Sequence, residues 1–333
     1  MPDLAIVIPA YKDKYLKKTL TCFANQTLKD FNIYIGDDCS PFNIKEICNE
    51  FADKLNISYT KFNNNIGAKN LVHQWSRCIN LTLNEKWIWL FSDDDLVDTN
   101  CVENFIKNIS NIENDKLDIY RFNTIVIDQN DIIIRTPPIG PEFESSEEMA
   151  YNLLLDKRSN SLADHIFSRK IYEKSGGLIF TEYAQGADWI MSILFSKETG
   201  IRLINNSNFY WRYSGSNISS SVGKTKIQML DGHVQFIKWV VNHFIYLKEI
   251  QSSIKYIDII KATRFNFENV LIHHFKGLYI SKIPQIVTIL KHDLRMSPME
   301  IMKFLFNVFN TTNKYLFFLR KTKSSIYKRF AFH

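Results

Sequence analysis

The chain has 333 residues, 45% of them apolar and 23% charged, with 41 Lys and Arg against 35 Asp and Glu for a net charge of +6. Those proportions fit a soluble globular protein, long enough for one large core or two modest ones. Its five cysteines, Cys22, Cys39, Cys48, Cys78 and Cys101, are odd in number and form no CxxC pair, which argues against a disulfide framework or zinc site and suits a reducing cytoplasm. No run of about eighteen apolar residues occurs and "MPDLAIVIPA" lacks a basic n-region, so neither a spanning helix nor a secretory leader is expected.

In chain order, "LAIVIPAY" is a continuous apolar run ending near Pro9, the pattern of a strand buried on both faces of a parallel sheet. "DKYLKKTLTCFANQT" then carries Tyr15, Leu16, Leu20 and Phe23 at helical spacing, with Asp13 as its expected N-cap. "FNIYIGDDCS" reads as a second strand, "NIKEICNEFADKL" as a helix and "ISYTKF" as a third strand. "NNNIGAKNLVHQWSRCINLT" opens as a polar turn and continues as a helix, and "KWIWLFSDDD" is a fourth strand. Such alternation predicts a doubly wound, mostly parallel sheet, whose ligands bind beyond the carboxyl ends of the strands. Tyr11, Asp37, Asp38 and Asp93 to Asp95 stand at those ends.

The middle third changes character. "LDIYRFNTIVI" and "IIIRT" read as strands around the polar turn "DQND", and Ser145 with Glu148 suits a capping box for "SEEMAYNLLLDK". "ADHIFSRKIYEKSGG" is a strand passing into a short helix stopped by Gly176 and Gly177. "GADWIMSILFSKE" is helical, "IRLINNSNFYWRY" extended, "SGSNISSSVG" a polar loop, and the pattern from Thr225 onward is helical.

Three aspartates on a turn behind an apolar strand can hold a hard cation, Mg²⁺ or Mn²⁺, which usually keeps substrate phosphates among its ligands. The plainer alternative is a solvated acidic turn. "IGDDCS" offers a second pair at another strand end, with ordinary turn chemistry as its alternative. Two acidic strand ends in one sheet converge on a single cleft. Trp189, Trp211, Tyr183 and Trp75 are candidates to stack on a sugar, or else core residues. The histidines form no ligand pair, and His273 with His274 reads as structural.

Four stretches carry a family resemblance. "IVIPAYKDKYLKKTLTCFANQT" resembles the opening of the family 2 glycosyltransferases of the GT-A fold. "YIGDDCS" is similar to that family's "vvDDgS", "NNNIGAKN" to its "N-x-G-x-a-x-ARN", and "WLFSDDDLVD" to its DXD-type "fLDaDD". They follow in the right order and spacing within residues 4 to 105. The resemblance implies a Rossmann-like α/β GT-A domain with a nucleotide-sugar-binding half, residues 1–105, and an acceptor-binding half, residues 106–224. A helical C-terminal extension, residues 225–333, would follow. It further implies an inverting transfer of a hexosyl or N-acetylhexosaminyl group from a nucleotide donor, UDP-linked, to a glycan or lipid-linked glycan. The setting would be capsule or O-antigen assembly.

Residue by residue, Pro9, Ala10 and Tyr11 would line the nucleotide pocket, Asp38 or Asp37 would bond the uracil, and Lys69 would lie near the base and phosphates. Asp93 would contact the ribose and Asp94 would ligate Mn²⁺ or Mg²⁺. Asp95 would support the turn or else approach the sugar. "ADW" resembles the family's "ED" element, which makes Asp188 the general base and Glu182 its fallback, with Trp189 beside the sugar. "YWRYSGSNISSS" is similar to a bacterial lid segment in which Arg212, Ser216, Asn217 and Ser219 would meet the diphosphate. Ser92 departs from the pattern, standing where the first Asp of the DXD element often lies. Ser92 and "AD" in place of "ED" keep open a catalytically degenerate sugar-nucleotide-binding protein. A nucleotidyltransferase is the other alternative, though "PAYKDKYLKK" lacks the glycines of a phosphate loop.

After Glu300 no acidic residue occurs, while Lys303, Lys314, Arg320, Lys321, Lys323, Lys328 and Arg329 follow among Phe and Leu. Such a tail suits an anionic membrane surface, placing the protein in the cytoplasm or peripherally on the inner face of the plasma membrane. The alternative is a packed helix with a solvated basic face. No recognition motif accompanies the charge, so no nucleic-acid partner is expected.

Overall fold

Leu4–Ala10 forms strand β1 inside a ten-stranded sheet in the computed structural model, which describes residues 3–111, 117–215, 224–275 and 277–313. Helix α1 (Leu16–Ala24), β2 (Phe31–Asp37), α2 (Ile44–Asn49), β3 (Ile57–Lys61), α3 (Leu71–Ile79) and β4 (Trp87–Leu90) follow in the predicted alternation. Strand β1 pairs in parallel with β2 and β4, and β2 with β3. Both faces of β1 are covered, which is why its apolar residues run unbroken: Leu4, Ala5, Ile6, Val7 and Ile8 are all buried. Asp13 does not cap α1. That helix starts at Leu16 behind Tyr15, and Asp13 contributes only its carbonyl, to Leu16 N at 3.2 Å.

The chain continues through β5 (Leu96–Val97), α4 (Cys101–Asn111), β6 (Ile119–Ile127), β7 (Ile133–Arg135), β8 (Phe143–Glu144), α5 (Ser146–Leu154) and β9 (His165–Ser168). It then forms α6 (Arg169–Lys174), α7 (Ala187–Phe195) and β10 (Ile201–Arg212). The sheet order is β3-β2-β1-β4-β9-β6-β10-β5, with β7 against β6 and β8 against β10. Strand β9 enters antiparallel between β4 and β6, so strands from both sides of residue 105 share one sheet. Local chemistry fixes several element ends as expected. Ser145 and Glu148 form the capping box of α5, and Gly176 and Gly177, both at positive φ, close α6 through Gly177 N to Tyr172 O at 2.8 Å. An aromatic cluster fills the space under β4: Phe23 meets Phe91 edge-on at 4.9 Å, and Trp89 stacks on Phe122 at 5.0 Å while its indole N–H bonds Ala163 O.

The chain divides into two compact units, Met1–Ser221 and Val222–His333. The second is helical: α8 (Lys224–His243), α9 (Tyr256–Asn269), a π-helical turn over Val270–Phe275, α10 (Ile283–His292) and a last helix, α11, over residues 298–313. Ile301, Phe304, Val308 and Thr312 of α11 are buried, whereas Met299, Met302, Phe306 and Phe309 form an exposed stripe. Among the described residues, no helix is long and apolar enough to cross a membrane. The basic tail from Lys314 lies outside the described residues.

Candidate active site

The carboxyl ends of β1, β2 and β4 open onto a cleft of about 520 Å³, within the usual range for a small-ligand site. Pro9, Ala10, Tyr11 and Lys12 form one wall. Asp38 and the 65–68 turn form the floor, with Gln74 and Trp75 of α3 beside it. Ser92, Asp93 and Asp94 form the opposite rim, with Ser161, Leu162 and Trp211.

Asp93 ties two of these walls together. Its Oδ2 accepts the backbone N–H of Tyr11 at 2.9 Å and of Lys12 at 3.0 Å, which fixes the loop after β1 against the turn after β4. Burial pushes its carboxyl up, and these two N–H groups and the Lys12 charge oppose that. Asp94 faces the cleft, and no other described residue donates a hydrogen bond to its carboxylate. Burial, then the charge of Asp93, pushes it up to about 7 against the pull of Lys12 and Arg212. A cation would offset the burial and the Asp93 charge that hold this carboxyl up. Among the described residues, no cluster of three or more acidic, His or Cys ligands exists, so the chain would offer Asp94 and leave the other positions to phosphate and water. A Mg²⁺-type ion is commonly held that way, and the donor set fits.

Asp95 belongs to the scaffold. It is 1% exposed, its Oδ1 accepts Arg212 N at 2.7 Å, and Ser92 donates to it. It stands outside the cleft lining, on the side of the expected supporting role and not of an approach to the sugar. Ser92 thus serves the turn as a hydrogen-bond donor to Asp95 while lining the cleft.

At the end of β2, the roles of the two aspartates separate. Asp37 is fully buried, its oxygens taken by Ser40 N at 2.7 Å and the Tyr59 hydroxyl at 2.6 Å, so it does not reach a nucleotide. Asp38 lines the cleft. Its Oδ1 accepts Ile66 N and Arg77 Nη2, and its Oδ2 accepts Gly67 N at 2.9 Å, leaving Oδ2 one lone pair for a ligand. A Cβ on Gly67 would come within 2.6 Å of that oxygen, so glycine is what lets the turn close on Asp38.

Lys69 is exposed and stands outside the cleft lining, contrary to its expected place near base and phosphates. The cation that touches the floor is Arg77, stacked 3.8 Å over the Phe62 ring and bonded to Asp38, Gln74 and Asn64. Lys12 lines the cleft as well. Sequence reasoning passed over both. Lys12 was signalled by its place beside Tyr11, and Arg77 by sharing the face of Gln74 one turn along α3.

Asp188 stands in the first turn of α7, behind Gly186 at positive φ. Burial pushes it up to about 6, with Asp164 acting the same way and the Trp189 N–H, Asn160 and His165 opposing. It lies behind the cleft wall: Asn160, whose Nδ2 is 3.5 Å from its Oδ2, directly precedes Ser161 and Leu162. Trp189 and Glu182 are likewise outside the lining, whereas Trp75 and Trp211 are in it. Arg212 ends β10 fully buried, outside the cleft lining, with its Nε and Nη1 donating inside the protein. Ser216, Asn217 and Ser219 lie outside the described residues.

A doubly wound sheet with acidic strand ends around one cleft, followed by helices, has the GT-A architecture. A model of the family "Glycosyl transferase family 2" matches residues 5–172, half of the chain, and the chain belongs to that family. Residues 1–349 of TarS from S. aureus superpose with a TM-score of 0.60 at 11% identity, covering 90% of this chain and 82% of that one. The same fragment in complex with UDP-GlcNAc gives 0.60 at 12% identity over 90% and 83%. GalNAc-T7 with UDP, GalNAc and Mn²⁺ gives 0.52 at 12% over 83% and 57%. At such identities the likeness is one of fold. Chondroitin synthase of Escherichia coli is 47% identical over 60 residues, a match spanning 17% of this chain and 9% of that protein.

Proposed function

We propose that the protein is an inverting glycosyltransferase that moves a hexosyl or N-acetylhexosaminyl group from a UDP donor to a glycan or lipid-linked glycan. The observation that carries this reading is the rim formed by Asp93 and Asp94. One carboxylate is pinned to the backbone of Tyr11 and Lys12, and the next faces the cleft with no hydrogen bond from another described residue. UDP-GlcNAc in the TarS complex, and UDP with Mn²⁺ in GalNAc-T7, support the donor class and the metal.

Under this reading the loop Pro9 to Tyr11 holds the base, with the free lone pair of Asp38 Oδ2 toward the uracil and Asp93 toward the ribose. Asp94 and Lys12 face the diphosphate. A bound Mn²⁺ or Mg²⁺ would neutralise charge developing on the leaving diphosphate. Asp188 accepts the proton of the acceptor hydroxyl as its oxygen bonds the anomeric carbon and the bond to the diphosphate breaks. At about 6, its carboxyl is a stronger base than an ordinary aspartate and still ionised at neutral pH. The setting is polysaccharide assembly at the cytoplasmic face of a membrane. The exposed stripe of α11 and the acid-free sequence after Glu300 support contact with anionic lipid, and loss of co-sedimentation with phosphatidylglycerol vesicles in Phe306→Glu checks that contact.

A second reading, a sugar-nucleotide-binding protein without turnover, is favoured by the position of Asp188 behind the cleft wall. UDP release from a panel of UDP-sugars, in Mn²⁺ and in EDTA, separates the two. Metal-dependent release supports catalysis, and tight binding without release supports the second.

A further inference from the structure

Arg212 is 0% exposed, and its contacts tie together segments distant in sequence. Its backbone N–H donates to Asp95 Oδ1 at 2.7 Å and its Nε to the carbonyl of Asp94 at 2.7 Å, so it grips the three-aspartate turn from behind by two bonds. Its Nη1 donates to Asp128 O at 3.0 Å and to Asp131 Oδ1 at 2.5 Å, in the turn between β6 and β7. Asp131 pairs through its other oxygen with Lys18 of α1 at 2.5 Å. The guanidinium lies 4.3 Å over the ring of Tyr15, the residue that opens α1. Burial raises the carboxyl of Asp131, but the bonds from Lys18 and Arg212 outweigh it and hold the group below its ordinary value, as a committed ion pair requires.

Of the Arg212 and Asp131 atoms in this chain, none belongs to the cleft lining. The gripped groups are the carbonyl of the residue that faces the cleft and the side chain of the residue after it. A turn bearing three adjacent carboxylates is pushed apart by its own charge and needs an external hold to keep Asp94 aimed. We propose that Lys18, Asp131 and Arg212 form a positioning strut that sets the geometry of Asp94, so that residues outside the cleft govern the metal-dependent part of nucleotide affinity. The inference rests on the reading of the cleft as a metal and nucleotide site.

The test is the affinity for UDP, read from the tryptophan fluorescence of the whole protein, once with Mn²⁺ and once with EDTA. The strut requires Asp131→Asn to raise the Kd in Mn²⁺ by about tenfold, the lower end of what losing an outer-shell partner costs a metal site, and to leave the Kd in EDTA unchanged. Lys18→Met shifts it the same way by less. Ile204→Val, a core change on the same strand, lowers the melting temperature without separating the two Kd values. If Asp131→Asn binds like the wild type in Mn²⁺, or weakens both affinities equally, the strut is wrong and the site reading stands. If the wild type itself gains no UDP affinity from Mn²⁺, the metal reading fails and the strut with it. Should Asp131→Asn not fold, Lys18→Met carries the same reading, and the absence of a split there overturns the strut.

Discussion

The ends of β2 and β4 both present consecutive aspartates to one cleft, yet the fold treats them oppositely. At the end of β2, Asp37 and Asp38 take donors from Ser40, Tyr59, Ile66, Gly67 and Arg77, which hold the floor in shape and leave one lone pair on Asp38 Oδ2. At the end of β4, Asp93 and Asp95 are engaged in the same way while Asp94, between them, is left toward the cleft and pushed up to about 7. A carboxylate whose donors come from the protein is part of the scaffold. One kept half-buried without them keeps its chemistry for a ligand.

The largest effect expected falls on a further raised carboxylate, Asp188. Asp188→Asn should lower kcat by about 10² to 10⁴, the usual worth of a positioned general base, with UDP affinity unchanged. Because the base must be ionised, the rate at limiting acceptor should rise with pH through about 6 and then level. A rate that is flat across that range, or a variant with wild-type kcat, would remove Asp188 from the chemistry.

Next in size is the contrast itself. Asp38→Ala should cost about 1–3 kcal/mol in urea unfolding, since it takes one partner from the half-buried Arg77 guanidinium and leaves the N–H groups of Ile66 and Gly67 without their acceptor. Asp94→Asn should act the other way. A carboxyl raised in the folded state contributes stability below its unfolded pKa and loses it as pH rises through its folded one. Without metal, wild-type stability should therefore decline from about pH 4 to about pH 7, with Asp94→Asn flattening the decline and Mn²⁺ reversing it. Melting curves across that range decide the point, and equal behaviour of the two variants would erase the distinction between the strand ends.

These differences show how far the chain could be read before its structure was known. The alternation from Leu4 to Leu90, the capping box at Ser145 and the cleft at the strand ends follow from local periodicity and turn chemistry, which are written in consecutive residues. What was misjudged depends on contacts between distant segments. Asp95 looked like its neighbours until Arg212, 117 positions away, took its oxygen. Lys69 matched a motif position, while the cation that reaches Asp38 comes from Arg77 across the 65–68 turn. Arg212 closes the stretch "IRLINNSNFYWRY", which reads as extended, but its side chain matched a lid motif, and the pairing of β10 with β6 is what carries it inside. Periodicity assigns elements, but it does not say which of several like charges a buried partner will claim.

The smallest expected effect is also the sharpest probe of Asp38. Gly67→Ala places a Cβ against Asp38 Oδ2, the oxygen with the spare lone pair, at a separation of 2.6 Å that must relax. Overpacking of this kind costs about 1–3 kcal/mol, which urea unfolding would register. If Asp38 only supports the floor, its remaining bonds from Arg77 and Ile66 keep the cleft in shape, and UDP binding should follow the loss of stability and nothing more. If UDP affinity instead falls steeply while the unfolding midpoint scarcely moves, Oδ2 is a ligand atom. The end of β2 would then share the work assigned to β4, because a single displaced oxygen can weaken a base contact without loosening the scaffold behind it.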